Sequence, residues 1–310
     1  MNIQSTNPLE SKLTIKIHSL QSDFLTLSEF HFKKQIEKAL QQTATAPLNM
    51  TSISIDDTFY ILKKSIERVK SCMNETLLIN FIIIVSRILD VEFIPTLVKR
   101  MNSISLDLHK NAFIVLINDI ESSIYFLELL QCGFNDQIKT LLEINKSLSI
   151  DLFNQVFKSK LKNIIDTCFG KYVISESEYT VLKNTTASLK FNDKYTKLTD
   201  SVSGLTPKNK TNLESIILDF ITSSIEHVIL DLKFNYTGVL LLDQDIRNIS
   251  NTFENRDKFI RIKSIVNVLS CEKDEIEGLK GGKRVKGVDV VKILKLRVDI
   301  DAEILKVIEK

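Results

Sequence analysis

The sequence is poor in the residues that interrupt helices. Its 310 residues include 8 Gly, 4 Pro and no Trp. Because Gly and Pro disfavour helices more than other residues do, their scarcity argues against a β fold rich in turns. Leu, Ile, Lys, Glu and Asn recur throughout the chain instead. This composition predicts an all-α protein that is long enough to bury a substantial core.

An excess of charge of either sign is also missing. The 41 basic and 39 acidic side chains leave a formal net charge of +2. This balance excludes a strong overall field that would draw the protein to nucleic acid or to an anionic membrane. We therefore expect no nucleic-acid partner, and any basic patch must be local.

Cysteine is scarce, and its positions are far apart: Cys72, Cys132, Cys168 and Cys271. They form no CxxC pair, and no nearby His completes a metal-binding pattern. The spacing therefore predicts neither a metal site nor a disulfide framework. We interpret the four residues as buried, reduced thiols of a cytosolic protein.

Long apolar runs are absent as well. The strongest run, LLINFIIIVSRIL at 77–89, is too short to span a bilayer and contains Asn80 and Arg87. The polar opening MNIQSTNPLESK has no apolar core after a basic start, which argues against a signal peptide. We therefore predict a buried central helix at 77–89 and a cytoplasmic protein.

Helical periodicity is what the sequence does contain. An apolar stripe in steps of four and three opens the chain and consists of Leu13, Ile17, Leu20, Phe24 and Leu27. Such a stripe predicts an amphipathic helix that needs a partner surface. Asp56 and Asp57 are predicted to cap the next helix. Further helices are predicted over 75–101, 106–146 with a break near Gly133, 149–169, 175–184, 213–232, 255–270 and 288–297.

One segment lacks a sustained period. Residues 191–210 contain Gly204 and Pro207, which are typical of turns and linkers. We therefore predict N-terminal helical bundles over 1–190, a linker over 191–210 and a C-terminal helical bundle over 211–310.

The sequence contains no recognisable arrangement for catalysis. The histidines are scattered and form no HxxxH or HExxH pair: His18, His31, His109 and His227. Gly282 and Lys283 resemble the end of a phosphate-binding loop, but Arg284 stands where Ser or Thr is required and Glu277 where the first Gly is required. Nucleophile-elbow and dinucleotide-binding strings are absent too. We predict no catalytic, cofactor-binding or metal-binding residues.

Two charged features are candidates for structural or interaction roles. The first is a basic loop formed by Lys280, Lys283, Arg284 and Lys286. It is either a solvated loop or a contact with an acidic partner or with membrane headgroups. The second is a pair, Arg261 and Asp289, each of which heads an apolar row on a predicted helix. Either the two pair, or Arg261 extends to water and Asp289 caps its helix.

Five strings lie in one register along the chain: SDFLTLSEFHFKKQIEKA, SIDDTFYILKKSIERV, FNYTGVLLLDQDIRNI, RDKFIRI and VVKILKLRVDI. Together they resemble the family of subunit four of the conserved oligomeric Golgi (COG) complex. The second string holds a signature formed by Asp56, Asp57, Phe59, Tyr60, Lys63 and Lys64. The later strings are matched through Phe234, Asn235, Gly238, Asp243, Asp245, Arg247, Arg256, Asp257, Arg297 and Asp299. Five ordered matches are more specific than any single motif.

The resemblance implies an elongated rod of helical bundles of the multisubunit tethering type, cytoplasmic and peripheral on Golgi membranes. It implies a non-catalytic subunit without a cofactor, which acts by protein–protein interaction in retrograde intra-Golgi transport and in the retention of glycosylation enzymes. The implied partners are other COG subunits, SNAREs and associated trafficking proteins. Contacts to syntaxin-type SNAREs are expected in the N-terminal part of the longer family members.

The resemblance also implies that Arg261 pairs with the acid at position 289. This sequence has Asp where the family has Glu, so a water-bridged contact is an expected variant. Two alternative functions remain: a subunit of a related, exocyst-like helical tether at another membrane, and a helical enzyme or nucleic-acid module.

Overall fold

The computed structural model describes residues 8–41, 50–104, 110–182, 187–272, 284–285 and 288–300. Helices dominate these ranges, so the all-α prediction is confirmed. In chain order they are α1 Pro8–Leu40, α2 Ile53–Lys70, α3 Glu75–Ile88, α4 Ile94–Ser103, α5 Lys110–Leu130, α6 Asn135–Leu152, α7 Lys158–Cys168, α8 Glu176–Leu182, α9 Ala187–Asp200, α10 Pro207–Asp231, α11 Tyr236–Asn251, α12 Ile260–Leu269 and α13 Val290–Leu294. There are also two short antiparallel strands, β1 Arg284–Val285 and β2 Val288–Asp289. Two π turns, Leu89–Phe93 and Phe153–Phe157, and a 3₁₀ turn, Arg256–Phe259, complete the described elements.

The predicted helix over 75–101 is one continuous helical path with a wider turn inside it. A π turn at Leu89–Phe93 joins α3 to α4, and the N–H of Ile94 bonds to the carbonyl of Leu89. Pro95 follows at once, and a proline both lacks an N–H and crowds the carbonyl four residues earlier. The wider turn relieves that conflict without ending the helix.

The helix predicted over 106–146 breaks where expected. α5 ends at Leu130 and α6 begins at Asn135. Between them, Gln131 and Gly133 adopt φ values of 49° and 83°. Glycine adopts this left-handed conformation at little cost, which is why helices commonly end beside one.

Helix α2 begins one turn earlier than predicted. Its N-cap is Ser52, so Asp56 lies inside the first helical turn and does not cap the helix. The backbone N–H and the Oγ of Ser52 both donate to the buried carboxylate of Asp119 on α5, at 2.7 Å each. The capping prediction was wrong because the start of α2 is fixed by Asp119, which is 67 residues away in sequence.

The chain folds into two compact units. The first comprises Met1–Ser149 and Gly204–Lys210, and the second comprises Ile150–Ser203 and Thr211–Lys310. In the first unit, α1 lies against α2 and α3, and α5 lies against α2 and α4. Aromatic rings contribute to its packing, with Phe59 stacked on Phe126 at 5.1 Å and edge-on to Phe93 at 5.6 Å.

In the second unit, α11 lies against α8, α9 and α12. Its core includes a row of rings in which Phe253 lies 5.1 Å from Tyr195 and 5.9 Å from Phe259. Helix α7 packs on α9, while α13 and β2 lie against α12. Helix α11 therefore connects most of the second unit.

The structure differs from the predicted linker over 191–210, because α9 and the start of α10 occupy most of it. Phe191, Tyr195 and Leu198 are buried on one face of α9. Only three apolar side chains define this face, and polar residues separate them, so the sequence pattern was too weak to predict a helix.

The segment between α9 and α10 is fixed to the first unit by a buried side chain. Asn118 on α5 donates to the carbonyl of Gly204 at 2.8 Å and accepts from the N–H of Thr206 at 3.1 Å. The Nδ2 of Asn209 also donates to the carbonyl of Ile117, at 3.2 Å. These bonds pair polar groups of a partly buried backbone segment that would otherwise lack partners.

Candidate functional site

Three remote backbone segments meet at the N-terminus of α11. The N–H of Phe234 donates to the carbonyl of Leu296 at 3.0 Å, and the carbonyl of Phe234 accepts from the N–H of Val298 at 2.8 Å. On the other side, the N–H of Asn235 donates to the carbonyl of Tyr172 at 3.3 Å. We call Tyr172, Phe234, Asn235, Arg297 and Asp299 the C-terminal cluster.

Asn235 both caps α11 and ties it to the neighbouring segment. Its Oδ1 accepts from the N–H of Gly238 at 3.0 Å, as an N-cap residue does. Its Nδ2 donates to the carbonyl of Ile174 at 2.6 Å. A Cβ atom at position 238 would lie 1.6 Å from the carbonyl oxygen of Tyr172. Only glycine fits there. The cap and this close approach give a physical reason for the Asn and Gly positions of the FNYTG string.

Arg297 lies in the middle of the cluster with 9% of its surface exposed. Its Nε and Nη2 donate to the two carboxylate oxygens of Asp299, at 2.6 and 2.9 Å. Its Nη1 donates to the carbonyl of Leu269, in the last turn of α12. The guanidinium thus provides a hydrogen-bond donor for a carbonyl at the end of α12, where carbonyls have no partner within the helix.

Asp299 completes this arrangement. It accepts from the N–H of Tyr236 at 2.8 Å in addition to the bonds from Arg297. Partial burial acts to raise the pKa of Asp299, but the hydrogen bonds from Arg297 and Tyr236 outweigh it and leave the pKa below its usual value. The pair is therefore charged at neutral pH and fixes residues 297–299 against α11.

Asp245 is a buried carboxylate within the second unit. It accepts from the hydroxyl of Tyr172 at 3.1 Å and from the N–H of Ser188 at 2.9 Å, near the start of α9. Burial raises the pKa of Asp245, and the bonds from Ser188 and Tyr172 act in the opposite direction. Burial and the neighbouring carboxylate raise the pKa of Tyr172, so this hydroxyl stays a donor. Asp245 connects α11 to the segments before α8 and at the start of α9.

The other matched charges lie on the surface. Asp243 and Arg247 form an ion pair one turn apart on α11, at 2.8 Å. Arg256 and Asp257 are exposed on a short 3₁₀ turn, Arg256–Phe259, that precedes α12. Exposed pairs of this kind contribute little to stability.

Arg261 has a partner that the sequence analysis did not identify. Its Nε lies 2.8 Å from both carboxylate oxygens of Glu226 on α10. The guanidinium is 57% exposed and the carboxylate 20%. The backbone of Asp289 lies in β2, next to α12, but its side chain is outside the described part of the chain. The pairing of Arg261 with Asp289 therefore stays a prediction.

The basic loop falls almost entirely outside the described residues. Lys280, Lys283 and Lys286 are not described, and Arg284 is described only as part of β1. Its two interpretations, a solvated loop or a contact, both remain predictions.

The four cysteines are thiols outside disulfides, and Cys168 is the one that is buried. Cys72 is exposed, and Cys132 and Cys271 are partly exposed. The prediction that all four are buried was wrong, because Cys72 lies in the turn after α2, where no other element covers it. Among the described residues, no group of His, Cys, Asp or Glu is placed to hold a metal ion.

Two surface cavities among the described residues are well formed. One, of about 380 Å³, lies between α2 and α5 and is mainly apolar. The other, of about 650 Å³, lies between α7 and α10 and is lined by Lys158, Lys162, Asp166, His227 and Asp231 among others. Each of these five side chains is exposed. Such a groove is solvated, whereas active sites usually exclude water around their acids and bases.

The part of the chain that the structure describes contains no helix long and apolar enough to cross a membrane.

Comparison with known proteins gives the chain a family context. The family "Conserved oligomeric Golgi complex subunit 4, C-terminal" matches residues 89–295. The family "COG4 transport protein, middle alpha-helical bundle" matches residues 3–101. The two matches together extend over most of the chain.

Curated relatives agree with these matches. Conserved oligomeric Golgi complex subunit 4 of Arabidopsis thaliana is 22% identical over 90% of this chain and 45% of its own length. The Bos taurus protein of the same name is 22% identical over 95% of this chain and 48% of its own length. The chain thus spans about half the length of the curated relatives it matches.

Among solved structures, the C-terminal domain of the exocyst subunit Sec6p aligns with 100% of this chain and 90% of that chain. The sequence identity is 12% and the TM-score is 0.47.

Proposed function

Because the chain belongs to the family of conserved oligomeric Golgi complex subunit 4, we propose that it works as a non-catalytic vesicle-tethering subunit at Golgi membranes. In this role it assembles with other COG subunits, and through them it is peripheral on the membrane. The complex captures retrograde vesicles that return glycosylation enzymes within the Golgi. It does so in cooperation with SNAREs and associated trafficking proteins.

The observation that carries the proposal is the family match over residues 89–295, which contains most of the C-terminal cluster. Within it, Asn235 caps α11 and Gly238 admits the carbonyl of Tyr172. Two residues beyond the matched range, Arg297 donates to the last turn of α12. Side chains with these tasks maintain a surface for protein contacts and do not form a reaction centre.

A non-catalytic role is further supported by how the buried ionisable groups are used. Asp245 is committed to Tyr172 and Ser188, Asp119 to Ser52, and Arg297 to Asp299. Each of these groups holds one segment of the chain to another. General acid–base catalysis needs groups that face a substrate, and these three face neighbouring backbone and side chains.

Co-purification from cell extract tests the proposal. The chain, carrying an affinity tag and expressed in its own cells, is expected to capture the other COG subunits in stable proportions. Capture of exocyst subunits in place of COG subunits would favour the exocyst-like alternative. The variant Arg297→Leu, which disrupts the C-terminal cluster, controls for binding of COG subunits to unfolded chain. Because capture requires the folded second unit, we expect this variant to capture fewer COG subunits.

A further inference from the structure

The N-terminal half of α1 presents an apolar stripe to solvent. Every residue from 12 to 20 is exposed. On the seam, Leu13 is 63% exposed, Ile17 44%, Leu20 58% and Leu27 68%. A row of large aliphatic side chains at this exposure is unfavourable in water, so the stripe calls for a partner surface.

The spacing of the stripe specifies what kind of surface fits it. Leu13, Ile17, Leu20, Phe24 and Leu27 alternate steps of four and three, which is the a and d pattern of a coiled-coil seam. On one flank of this seam lie Lys16 and Asp23, both exposed and one heptad apart. A second helix with the same spacing can interdigitate with this seam.

We propose that this face is the contact between two copies of the chain, with their α1 helices antiparallel. In this register Leu13 lies opposite Phe24 of the second copy, and Ile17 lies opposite Leu20. The two-fold axis passes between residues 18 and 19. The arrangement rests on the first unit and does not depend on the proposed Golgi function.

Charge complementarity selects this arrangement. In an antiparallel pair, the same flank of each helix meets its counterpart on the second copy. Lys16 therefore lies beside Asp23 of the second copy, and the two-fold symmetry makes this contact occur twice. A register shifted by one heptad toward the C-terminus places Asp23 beside Asp23, which is repulsive. In a parallel pair, opposite flanks meet, so Lys16 faces Gln21 and Asp23 faces Ser28, and no ion pair forms.

The rest of the first unit also favours the antiparallel arrangement. Helices α2 and α3 cover the C-terminal half of α1, where Phe32 packs against Phe81 and Lys33 pairs with Glu92. An antiparallel pair places these bulky regions at opposite ends of the contact. A parallel pair brings them side by side, where they compete for the same space.

The contact is short, so we expect it to be weak. It spans about two heptads, below the length at which isolated coiled coils are usually stable. Because the C-terminal half of α1 is anchored by tertiary packing, little ordering of the helix is needed on association. A small interface of this kind corresponds to a transient dimer with a Kd on the order of 10 µM.

Sedimentation velocity on the purified chain tests the proposal by charge exchange. The unmodified chain is expected to be a monomer at about 1 µM and mainly a dimer at about 100 µM. Lys16→Glu alone places two acids together, and Asp23→Lys alone places two lysines together, so each variant is expected to dimerise at least about tenfold more weakly. Mixing the two variants restores complementary charges and is expected to restore the dimer.

Two aspartate variants separate the seam from general surface effects. Ile17→Asp, on the seam, is expected to abolish dimerisation. Ile15→Asp is the matched control, since Ile15 is 67% exposed on the same helix but lies off the seam. Unchanged helical circular dichroism shows that each variant is folded. Three results would each overturn the proposal: an unmodified chain that is a monomer at about 100 µM, equal effects of Ile17→Asp and Ile15→Asp, or no recovery of the dimer when the two charge variants are mixed.

Discussion

The guanidinium of Arg297 donates to the Asp299 carboxylate and to the carbonyl of Leu269 while its side chain is almost completely buried. These partners lie in different segments of the second unit. Removing the guanidinium would leave a helix-end carbonyl and part of a carboxylate without their donors. Leaving these buried groups without donors costs much more free energy of unfolding than removing an exposed ion pair does.

We therefore expect Arg297→Leu to lower the free energy of unfolding of the second unit by about 2 to 4 kcal/mol. Arg247→Ala is the matched control, because it removes an exposed ion pair on α11 and should cost less than about 0.5 kcal/mol. Urea denaturation followed by circular dichroism measures both. Equal costs for the two variants would contradict the role given to Arg297.

The lowered pKa of Asp299 predicts a pH dependence. A carboxyl whose pKa is lowered in the folded state stabilises that state at pH values above its ordinary pKa of 3.8. This stabilisation is lost as the pH falls through the folded-state pKa. The difference in unfolding free energy between the unmodified chain and Asp299→Asn should therefore be largest at about pH 7 and shrink toward about pH 3.

Urea denaturation at several pH values measures this difference. Asp243→Asn controls for the loss of a carboxylate from a helical ion pair. A difference that stays constant as pH falls would show that the contribution of Asp299 does not depend on its charge.

At the scale of elements, the start of α11 is determined by the close approach of two backbone segments. The carbonyl of Tyr172 occupies the position that a side chain at residue 238 would need. Glycine at an ordinary helical position lowers stability relative to alanine by up to about 1 kcal/mol. Here the order reverses, because alanine would force α11 away from the Tyr172 segment.

Gly238→Ala is accordingly expected to destabilise the second unit by about 3 kcal/mol or more, since neither backbone segment can yield easily. Gly170→Ala is the control, because a Cβ at that position would meet nothing within 4 Å. Thermal and urea unfolding of the two variants provides the measurement. A Gly238→Ala variant as stable as the unmodified chain would show that the segments separate at little cost.

Most helices of the molecule were predictable from sequence because their apolar spacing is local information. The break at Gly133 is one example, since both the glycine and the ends of the flanking stripes are visible in sequence. The start of α2 was not predictable, because Asp119 fixes it from another helix. The same holds for the Arg261–Glu226 pair, whose partners are 35 residues apart. Local patterns specify elements, whereas long-range polar contacts set their ends and partners.

The C-terminal cluster was predictable only in part. The family resemblance identified Phe234, Asn235, Arg297 and Asp299 as positions of interest. It did not indicate that Arg297 caps α12 or that Asn235 binds Ile174, because both contacts depend on tertiary geometry. Tyr172 and Ser188, the partners of Asp245, carried no sequence signal of their own.

At the scale of the whole molecule, the two units use their buried polar groups in the same way. Asn118 and Asp119 hold segments together in the first unit, and Asp245 and Arg297 do so in the second. Each unit thus has a polar network that specifies one arrangement of its helices, in addition to an apolar core. A tether needs such fixed surfaces, since its partners must find the same contacts each time.

We propose that this chain serves Golgi tethering without catalysing a reaction. The most direct test is to delete its gene from its own cells and measure complex glycans on the cell surface by lectin binding. We predict that these glycans decrease, that the unmodified gene and its Arg247→Ala variant restore them, and that the Arg297→Leu variant does not. Normal lectin binding in the deleted cells would contradict the account.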